Sequence, residues 1–553
     1  MRRFHFEHLL QLGLFAALTA CSDLESPPRI CQPGEVWSCS CSASSTGQRK
    51  CLDDGREFSE CDCPSRPPGS MRPALMQAGS SAGPSRSPSS PAGRDGSSGE
   101  GGRAPSEPPT AGTPPSGAAG APSGEPKPPP APPPDGAAGS AAPPADPKPE
   151  IEFEPTEDDA AYVFDQTVVR TYNIVVAPAD LARIDLQPSL ETWVPASLEF
   201  EGASYGPFMM RYKGSGGSFK WPCTKNAKND PKEGKCSIKL GFDEVDPELR
   251  FYGLKKLNFH ATIQDESQLR DRLGYSLFRD SRVAASRAMH ARVFVNGAPE
   301  GLFVAVEQID GRFSRARFGE GGEGNVYKEA WAVMEDEAKY IKALESNSDM
   351  PNVQGMLAFQ AAVLTSAAET ERFIDKDYLM RLVAVDRVIM NDDGMFHFYC
   401  DINSPNYPGT SHNFYVYESS ARDRIWYIPW DLDLSFDLSP WVHVNPAWYE
   451  PAPCVCTPYE MYGHMTPPSC DPFVKHMIGW RDIYEREVDA FLAGPLSEAQ
   501  VEAKLKPWID QMRPHIREFA GVKRAPTEAE WDTAVQELRA KIASARQHRG
   551  YPY

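Results

Sequence analysis

Carboxylate and amide side chains gather in three short stretches of the second half of the chain. Asp392 and Asp393 form the first stretch, Asn413 stands in the second, and Asp431 and Asp433 form the third. Mg²⁺ prefers oxygen ligands of this kind, and phosphoryl transfer uses one Asp beside the attacking hydroxyl with an Asn and a second Asp on the metal. The order Asp, Asn, Asp therefore predicts a kinase-like centre. The alternative is a set of turns or a structural Ca²⁺ site, because Asp and Asn are common in both.

The elements around these stretches are predicted to be short strands and amphipathic helices. Phe414–Tyr417 and Ile428–Trp430 are apolar runs typical of short buried strands. Asp375–Asn391 has one apolar helical face. Ser497-x-x-Gln500 and Thr527-x-x-Glu530 are capping boxes that open two further helices. We therefore place the carboxylates on loops of a mainly helical lobe.

The preceding part of the chain is predicted to be rich in strands. Alternating or apolar runs predict strands over 168–174, 198–200, 208–212, 235–240, 291–295 and 301–307, with Asn296-Gly297 as a hairpin turn between the last two. One helix is predicted from Asp265 to Asp280, capped by Asp265 with Gln268 at the third position. The fold class is therefore α+β, with a β-rich lobe carrying one helix followed by a mainly helical lobe, which is the order found in kinases.

Two features of the strand-rich part could bind phosphate. Gly214 and Gly216 stand in a Gly-rich loop, where backbone N–H groups can approach phosphate closely, although a hairpin turn is the alternative. Lys235 and Lys239 lie on the next predicted strand and could reach the phosphates of a nucleotide. Solvated lysines on an edge strand are the alternative.

A series of short motifs follows in order along the chain. They are Arg270-x-Arg272-Leu273, Asn296-Gly297-x₃-Gly301-Leu302-Phe303, Val306-Glu307-Gln308-Ile309-Asp310, Gly324-Asn325-Val326-Tyr327-Lys328, Asn391-x-Asp393, His412-Asn413-Phe414-Tyr415 and Ile428-Pro429-Trp430-Asp431-x-Asp433. Together they resemble the CotH family of atypical, spore-coat-type protein kinases, which also occur in exported bacterial proteins and on fungal surfaces. The resemblance runs from about Val163 to the C-terminus and implies a kinase-like two-lobed fold that uses ATP and Mg²⁺ or Mn²⁺.

The resemblance implies a role for each acidic candidate. Asp393 would orient the acceptor hydroxyl and take its proton, although the adjacent Asp392 leaves the choice of catalytic carboxylate open. Asn413 and Asp431 would hold Mg²⁺ against the ATP phosphates, with Asp433 as an auxiliary carboxylate.

The resemblance also implies a phosphate-binding lysine, which would be Lys235, Lys239 or Lys328. Glu307 would meet the adenine side of the nucleotide or brace the loop beside it. The sequence departs from the compact family pattern in the extra loop Phe396–Ser411 and in the Cys-rich loop Cys454–Cys470, which could pair with Cys400. These insertions could shape a substrate cleft or occlude it.

The N-terminus is predicted to be a targeting segment. Arg2 and Arg3 precede the apolar run Leu9–Ala20, which is too short for a stable membrane anchor. The run ends in Leu18-Thr19-Ala20-Cys21, which resembles a bacterial lipobox, so Cys21 is the predicted lipidation site. An ordinary signal peptide with a stray Cys is the alternative. We expect an exported bacterial lipoprotein anchored to a membrane, with the outer membrane or cell surface favoured.

Cysteines and low-complexity sequence define the parts before the folded domain. Six cysteines lie at 31, 39, 41, 51, 61 and 63, and their Cys-x-Cys pairs favour disulfides over zinc. The Pro, Gly, Ser and Ala that follow predict a disordered linker. The expected domains are the signal peptide 1–20, the lipid-anchored N-terminus 21–30, the disulfide module 31–63, the linker 64–155 and the CotH-like kinase domain 156–553. Within the last, Cys223 and Cys236 could close a polar excursion.

The net charge of −19 narrows the range of partners. Nucleic acid is not expected as a partner, because it would require a basic face. The prediction is a surface-anchored kinase that transfers phosphate from ATP to Ser or Thr of an exported or surface protein. The alternative is a non-catalytic display or adhesion module with the same fold.

Overall fold

The structure, a computed structural model, describes residues 36–42, 45–50, 59, 159–214, 234–318, 324–400, 411–437, 448–459, 463–523 and 525–550. The chain divides into two units, residues 1–134 and 135–553. The predicted signal peptide, the lipidation site Cys21, the linker, Cys223 and Gly216 lie outside the described residues. So do the side chains of the six N-terminal cysteines.

The first unit contains a two-stranded antiparallel ribbon. Strand β1, Val36–Ser42, pairs with strand β2, Ser45–Lys50, from Val36↔Lys50 to Ser42↔Ser45. The backbone N–H of Ser59 donates to the carbonyl of Lys50 at 2.8 Å. The ribbon therefore lies within the region predicted to be a small disulfide module.

The first part of the second unit is a closed seven-stranded barrel. Its strands are β3 Arg170–Val176, β4 Val194–Phe200, β5 Ala203–Lys213, β6 Ser237–Gly241, β7 Lys256–His260, β8 Ala288–Val295 and β9 Ala298–Glu307, in the order β3-β4-β5-β6-β7-β9-β8. Side chains alternate between buried and partly exposed along β3 and β4, as a sheet with one core face requires. Tyr172, Phe200 and Phe259 fill the interior.

The sequence predicted a β-rich lobe, but it did not predict that the strands close into a barrel. Strand β3 pairs in parallel with β8, from Arg170↔Ala291 to Ile174↔Val295, so that the outer strands of the sheet bond to each other. Closing the sheet removes the exposed edges that an open β-rich lobe would present. The expected α+β class is confirmed, and its strand-rich part is this barrel rather than a clear N-lobe of a two-lobed kinase.

After the barrel strands, the described residues are mainly helical with two small sheets, and two further helices lie between barrel strands. Within the described residues, the helices of the second unit are α1 Pro178–Leu186, α2 Arg270–Asp280, α3 Gly311–Phe318, α4 Glu337–Ala343, α5 Gln354–Thr365, α6 Ala367–Thr370, α7 Lys376–Val388, α8 Pro472–Ile478, α9 Arg481–Ala493, α10 Glu498–Phe519 and α11 Glu528–Gln547. Short 3₁₀ turns span Asp159–Ala161, Pro188–Leu190, Phe242–Glu244 and Pro468–Cys470. Of these helices, α2 packs against the loop that carries Asp431.

Two three-stranded antiparallel sheets flank the carboxylate-bearing stretches. The first consists of β10 Asn325–Lys328, β12 Phe414–Glu418 and β13 Ile425–Pro429, in that order. The second has the order β11 Phe398–Tyr399, β15 Gly463–Thr466 and β14 Thr457–Tyr459. Disulfides Cys400–Cys456 and Cys454–Cys470 join the strands and loops of the second sheet, which confirms the predicted bond between Cys400 and the Cys-rich loop.

Local predictions near helix ends have mixed outcomes. Thr527 and Glu530 form the predicted capping box, whereas Ser497 precedes α10 without a side-chain capping bond. The predicted helix 265–280 was wrong at its start, because the carboxylate of Asp265 accepts the N–H of Ser267 at 3.0 Å and that of Arg270 at 2.8 Å. These bonds hold a turn, with Gln268 at φ 56°, and the helix begins at Arg270. The Asn296-Gly297 hairpin is confirmed.

Candidate active site

A cavity of about 470 Å³ is lined on one side by barrel strands and on the other by the sheet β10-β12-β13 and its loops. The sequence-predicted site residues that line it are Gly214, Lys235, Lys239, Lys328, Asp393, Asn413, Asp431 and Asp433. Asp392 and Glu307 do not line it. The fold thus brings most of the candidates from distant parts of the chain to one concave surface.

Asp393, Asn413 and Asp431 share an unusual backbone conformation. Their φ angles are 57°, 60° and 57°, in the left-handed region that residues with a side chain rarely adopt. Asp and Asn tolerate this region better than most residues do. Such conformations persist where surrounding contacts hold them, and they cluster at functional sites. The same three residues therefore stand out by chemistry and by conformation.

The carboxylate of Asp393 is held by two neighbouring side chains. The hydroxyl of Tyr399 donates to Oδ1, and the amide of Asn413 donates to Oδ2 at 3.2 Å and to the Asp393 carbonyl at 2.8 Å. Burial raises the pKa of Asp393, while the Tyr399 bond opposes this rise. The arrangement leaves Oδ1 of Asn413 as its remaining ligand atom and keeps one carboxylate in a fixed place on the cavity wall.

Asp392 points into the protein instead. Its Oδ1 lies 3.0 Å from Nε2 of His397, while Nδ1 of the same ring accepts the N–H of Asp393 at 3.0 Å. The contact between Nε2 and Oδ1 lies within ion-pair distance but does not have the geometry of a hydrogen bond. Burial and the nearby Asp393 raise the pKa of Asp392 to about 7. Of the two adjacent carboxylates, Asp393 faces the cavity and Asp392 is buried away from it.

Helix α2 positions the loop that carries Asp431 and Asp433. The N–H of Asp431 donates to the Tyr275 hydroxyl at 3.0 Å, and the N–H of Leu432 donates to Oδ1 of Asp271 at 3.1 Å. A Cβ at Gly274 would lie 3.0 Å from Leu432, so glycine allows the helix to approach this closely. The placement of the metal-binding candidates therefore depends on a helix far away in sequence.

The three candidate lysines differ in their surroundings. Nζ of Lys235 donates to the carbonyl of Leu302 at 2.5 Å, and Nζ of Lys328 lies 3.6 Å from the carboxylate of Glu329. Lys239 is buried on the cavity wall, and no bond to it is recorded within the described residues. Burial lowers the pKa of both Lys235 and Lys239 to about 7.

Glu307 lies in a buried ion cluster outside the cavity. Its carboxylate is 2.7 Å from Arg287, 2.6 Å from Arg317 and 3.3 Å from Arg312. Burial alone would raise the pKa of Glu307, but Arg317 and Arg287 outweigh it and hold the pKa well below its ordinary range. This position favours the bracing role over contact with a nucleotide.

Sequence reasoning missed several residues that the fold brings to the site. Nζ of Lys213 lies 2.8 Å from Nε2 of His260, and both line the cavity. Burial lowers the pKa of Lys213 to about 8. Lys213 directly precedes Gly214, so its place beside the Gly-rich loop was the available signal. Tyr399 gave none, because it stands in an insertion that departs from the family pattern.

The donor set at the cavity fits a metal that is shared with a ligand. Among the described residues, no three His, Cys, Asp or Glu side chains form a metal-binding group by themselves. Mg²⁺ is commonly bound through one or two carboxylates and the substrate's phosphates. Burial raises the pKa of Asp433 well above its ordinary value, and the charges of Asp431 and Asp271 add to this effect. A cation would relieve the repulsion among these carboxylates.

Fold and cavity define the class as an α+β protein whose closed barrel and helical part share a pocket of carboxylates and lysines. A family model described as CotH kinase protein matches residues 210–548. This match covers more than half of the chain, and the chain belongs to the CotH family.

A curated relative is similar to part of the chain. Inner spore coat protein H of Bacillus subtilis (strain 168) is 23% identical over 196 residues, which are 34% of this chain and 51% of that protein. The chain thus spans about half the length of this relative. In the parts that the structure describes, no helix combines the length and apolar character needed to cross a membrane.

Proposed function

We propose that the protein is a Mg²⁺- and ATP-dependent kinase that phosphorylates Ser or Thr of an exported or surface protein. The observation that carries this proposal is the meeting of Asp393, Asn413 and Asp431 on one cavity, each at a φ near 60°. Membership of a family described as kinase proteins supports it. If these residues served only to form turns, there would be no reason for three of them, far apart in sequence, to line one cavity together with several lysines.

The residues present fit Mg²⁺ and a nucleotide. Asp431 and Asn413 would hold the metal with phosphate oxygens, and Asp433 would add a carboxylate behind them. When bound, Mg²⁺ neutralises the charge that develops on the phosphates. The side chain of Asp431 is 41% exposed, so it is accessible from the cavity.

Asp393 is the proposed catalytic carboxylate. Tyr399 and Asn413 fix its direction, which lets it orient an acceptor hydroxyl without rearrangement. The hydroxyl would pass its proton to Asp393 as its oxygen bonds to the γ-phosphorus of ATP, while the bond from that phosphorus to the β,γ-bridging oxygen breaks and ADP leaves. In the same proposal, the barrel and the helical part correspond to the two lobes of a kinase, and the cavity corresponds to the cleft.

The cellular setting is part of the proposal. Lipidation of Cys21 would anchor the exported chain to a membrane, and the Pro- and Gly-rich linker would hold the kinase domain away from it. The acceptor would then be an exported or surface protein.

The direct test is label transfer from γ-labelled ATP by the full chain with its disulfides intact, with Mg²⁺ or Mn²⁺ and casein or the chain itself as acceptor. Label that appears with the parent and is lost in both Asp393→Ala and Asp431→Ala would support the kinase. Asp510→Asn, on an exposed helix surface, is the matched control. Absence of label together with absence of metal-dependent ATP binding in calorimetry would refute the kinase proposal and favour the display module.

A further inference from the structure

A buried histidine links Lys213 to the loop of Asp431. Nζ of Lys213 is 2.8 Å from Nε2 of His260, and Nδ1 of His260 is 2.6 Å from Oδ2 of Asp271. Asp271 is fully buried, and His260 is 3% exposed. A carboxylate accepts hydrogen bonds, so Nδ1 carries the proton, and the lone pair of Nε2 faces the Lys213 ammonium. The three side chains form a row with one direction of donation, from lysine to histidine to aspartate.

The same aspartate also holds the opposite wall of the cavity. Oδ1 of Asp271 accepts the N–H of Leu432 at 3.1 Å, next to Asp431, while Oδ2 binds His260. Nζ of Lys213 also lies 5.2 Å from the ring centre of Trp430, the residue that directly precedes Asp431 in the sequence. One buried carboxylate thus sets the position of a cation relative to a metal-binding candidate. A phosphate chain that carries a divalent cation is a ligand that uses both groups at once, the lysine for its phosphate oxygens and the carboxylate for its metal.

The other lysines lack this connection. Lys235 is bound to the carbonyl of Leu302, and Lys328 is paired with Glu329. Lys239 lies opposite Arg211 on the neighbouring strand, and no contact with the Asp431 loop is recorded for it within the described residues. Lys213 is the cavity lysine whose direction is set by the same network as Asp431.

We propose that Lys213 is the phosphate-binding lysine and that His260, held by Asp271, is the residue that positions it. In protein kinases a helix glutamate pairs with the lysine directly. Here a histidine stands between the lysine and a carboxylate at the start of α2. The inference rests on the proposed function, because it assigns a nucleotide phosphate as the ligand of Lys213.

Two substitutions of His260 distinguish a role in positioning Lys213 from a role in supporting Asp271. In His260→Gln the amide can occupy the place of Nε2 and still accept from Lys213. In His260→Asn the shorter amide can replace Nδ1 and donate to Asp271, but it does not reach Lys213. If His260 only supports Asp271, Asn is the better replacement. If it positions Lys213, Gln is the better one.

The first readout is the dissociation constant of Mg²⁺-ATP, measured by calorimetry on the full chain, with thermal unfolding recorded for each variant. We expect Lys213→Met to weaken binding about tenfold or more, the range for a lost hydrogen bond to a charged group. His260→Asn should approach this loss, and His260→Gln should bind as the parent does. Lys256→Met, on the same strand as His260 and paired with Glu244 at 3.3 Å, is the matched control and should bind as the parent.

The second readout is the reaction of Lys213 with an amine-acylating reagent, mapped by mass spectrometry. Mg²⁺-ATP should protect Lys213 in the parent and in His260→Gln, and should protect it less in His260→Asn. Binding that is retained in Lys213→Met, or rescued by Asn rather than Gln, would overturn the inference while the kinase proposal stands. A parent that binds no Mg²⁺-ATP would overturn both.

Discussion

The two walls of the cavity are built in different ways. On the barrel wall, Lys239 and Lys213 project from paired strands, where Arg211 faces Lys239 and Lys213 faces Ser237 in regular register. On the opposite wall, Asp393 and Asp431 stand on turns at positive φ. A regular sheet places its side chains through many equivalent bonds, whereas each turn depends on a few specific ones. The acidic wall is therefore expected to be the more easily disrupted part of the site.

The largest expected effect tests this difference directly. Asp393→Asn should lower phosphoryl transfer about a thousandfold, the loss typical of removing one preorganised group from an active site. Lys239→Met, on the barrel wall, should lower it no more than about tenfold, because other cations remain on that wall. The measurement is the initial rate with labelled ATP at saturating Mg²⁺. Equal losses of rate in the two variants would contradict the inference that the acidic wall is the more sensitive of the two walls.

A smaller effect is expected when the support of the acidic wall is weakened. Tyr399→Phe removes the hydroxyl that donates to Asp393, and transfer should fall about tenfold. This bond lowers the pKa of Asp393 against the effect of burial, so its loss should raise that pKa. The acid limb of the pH–rate profile should therefore move to higher pH. An unmoved limb with a lower rate would show that Tyr399 acts in another way.

Helix α2 allows a test of close packing on the acidic wall. Gly274→Ala places a Cβ about 3.0 Å from buried Leu432, in the loop of Asp431. Alanine in a helix is ordinarily about 1 kcal/mol more favourable than glycine, but here the contact should cancel that gain. We expect no increase in the free energy of unfolding and a modest loss of transfer. If the free energy of unfolding increased by about 1 kcal/mol and phosphoryl transfer were unchanged, the Asp431 loop would have shifted to accept the added Cβ without loss of function.

The smallest effect concerns the stability of the barrel wall. Burial lowers the pKa of Lys239 to about 7 from its ordinary value of 10.5, so between these values the unfolded chain binds a proton that the folded chain does not. The parent's free energy of unfolding therefore rises with pH across this window. Lys239→Met should be about 1 kcal/mol more stable than the parent below pH 7, and the advantage should shrink as pH rises. Urea unfolding at pH 6 and pH 9 measures this, and an advantage equal at both would contradict the assigned cause.

Local signals in the sequence predicted the parts of the fold that short-range chemistry controls. The Asn296-Gly297 turn formed as expected, because both residues accept positive φ, 52° and 76°. The Thr527 capping box formed because its partners are three residues apart. The start of α2 was missed, because the Asp265 side chain binds nearby backbone N–H groups and holds a turn.

Residue types and spacing were enough to predict an α+β protein and the three stretches that carry Asp393, Asn413 and Asp431. Long-range contacts decided the rest. Barrel closure pairs Arg170–Val176 with a strand more than a hundred residues later, and Asp271 bonds to a backbone group 161 residues away. The choice between Asp392 and Asp393, and the place of Lys213, depend on such contacts. Local propensity carries no information about which side chain a distant helix or strand will meet, so these features became visible only in three dimensions.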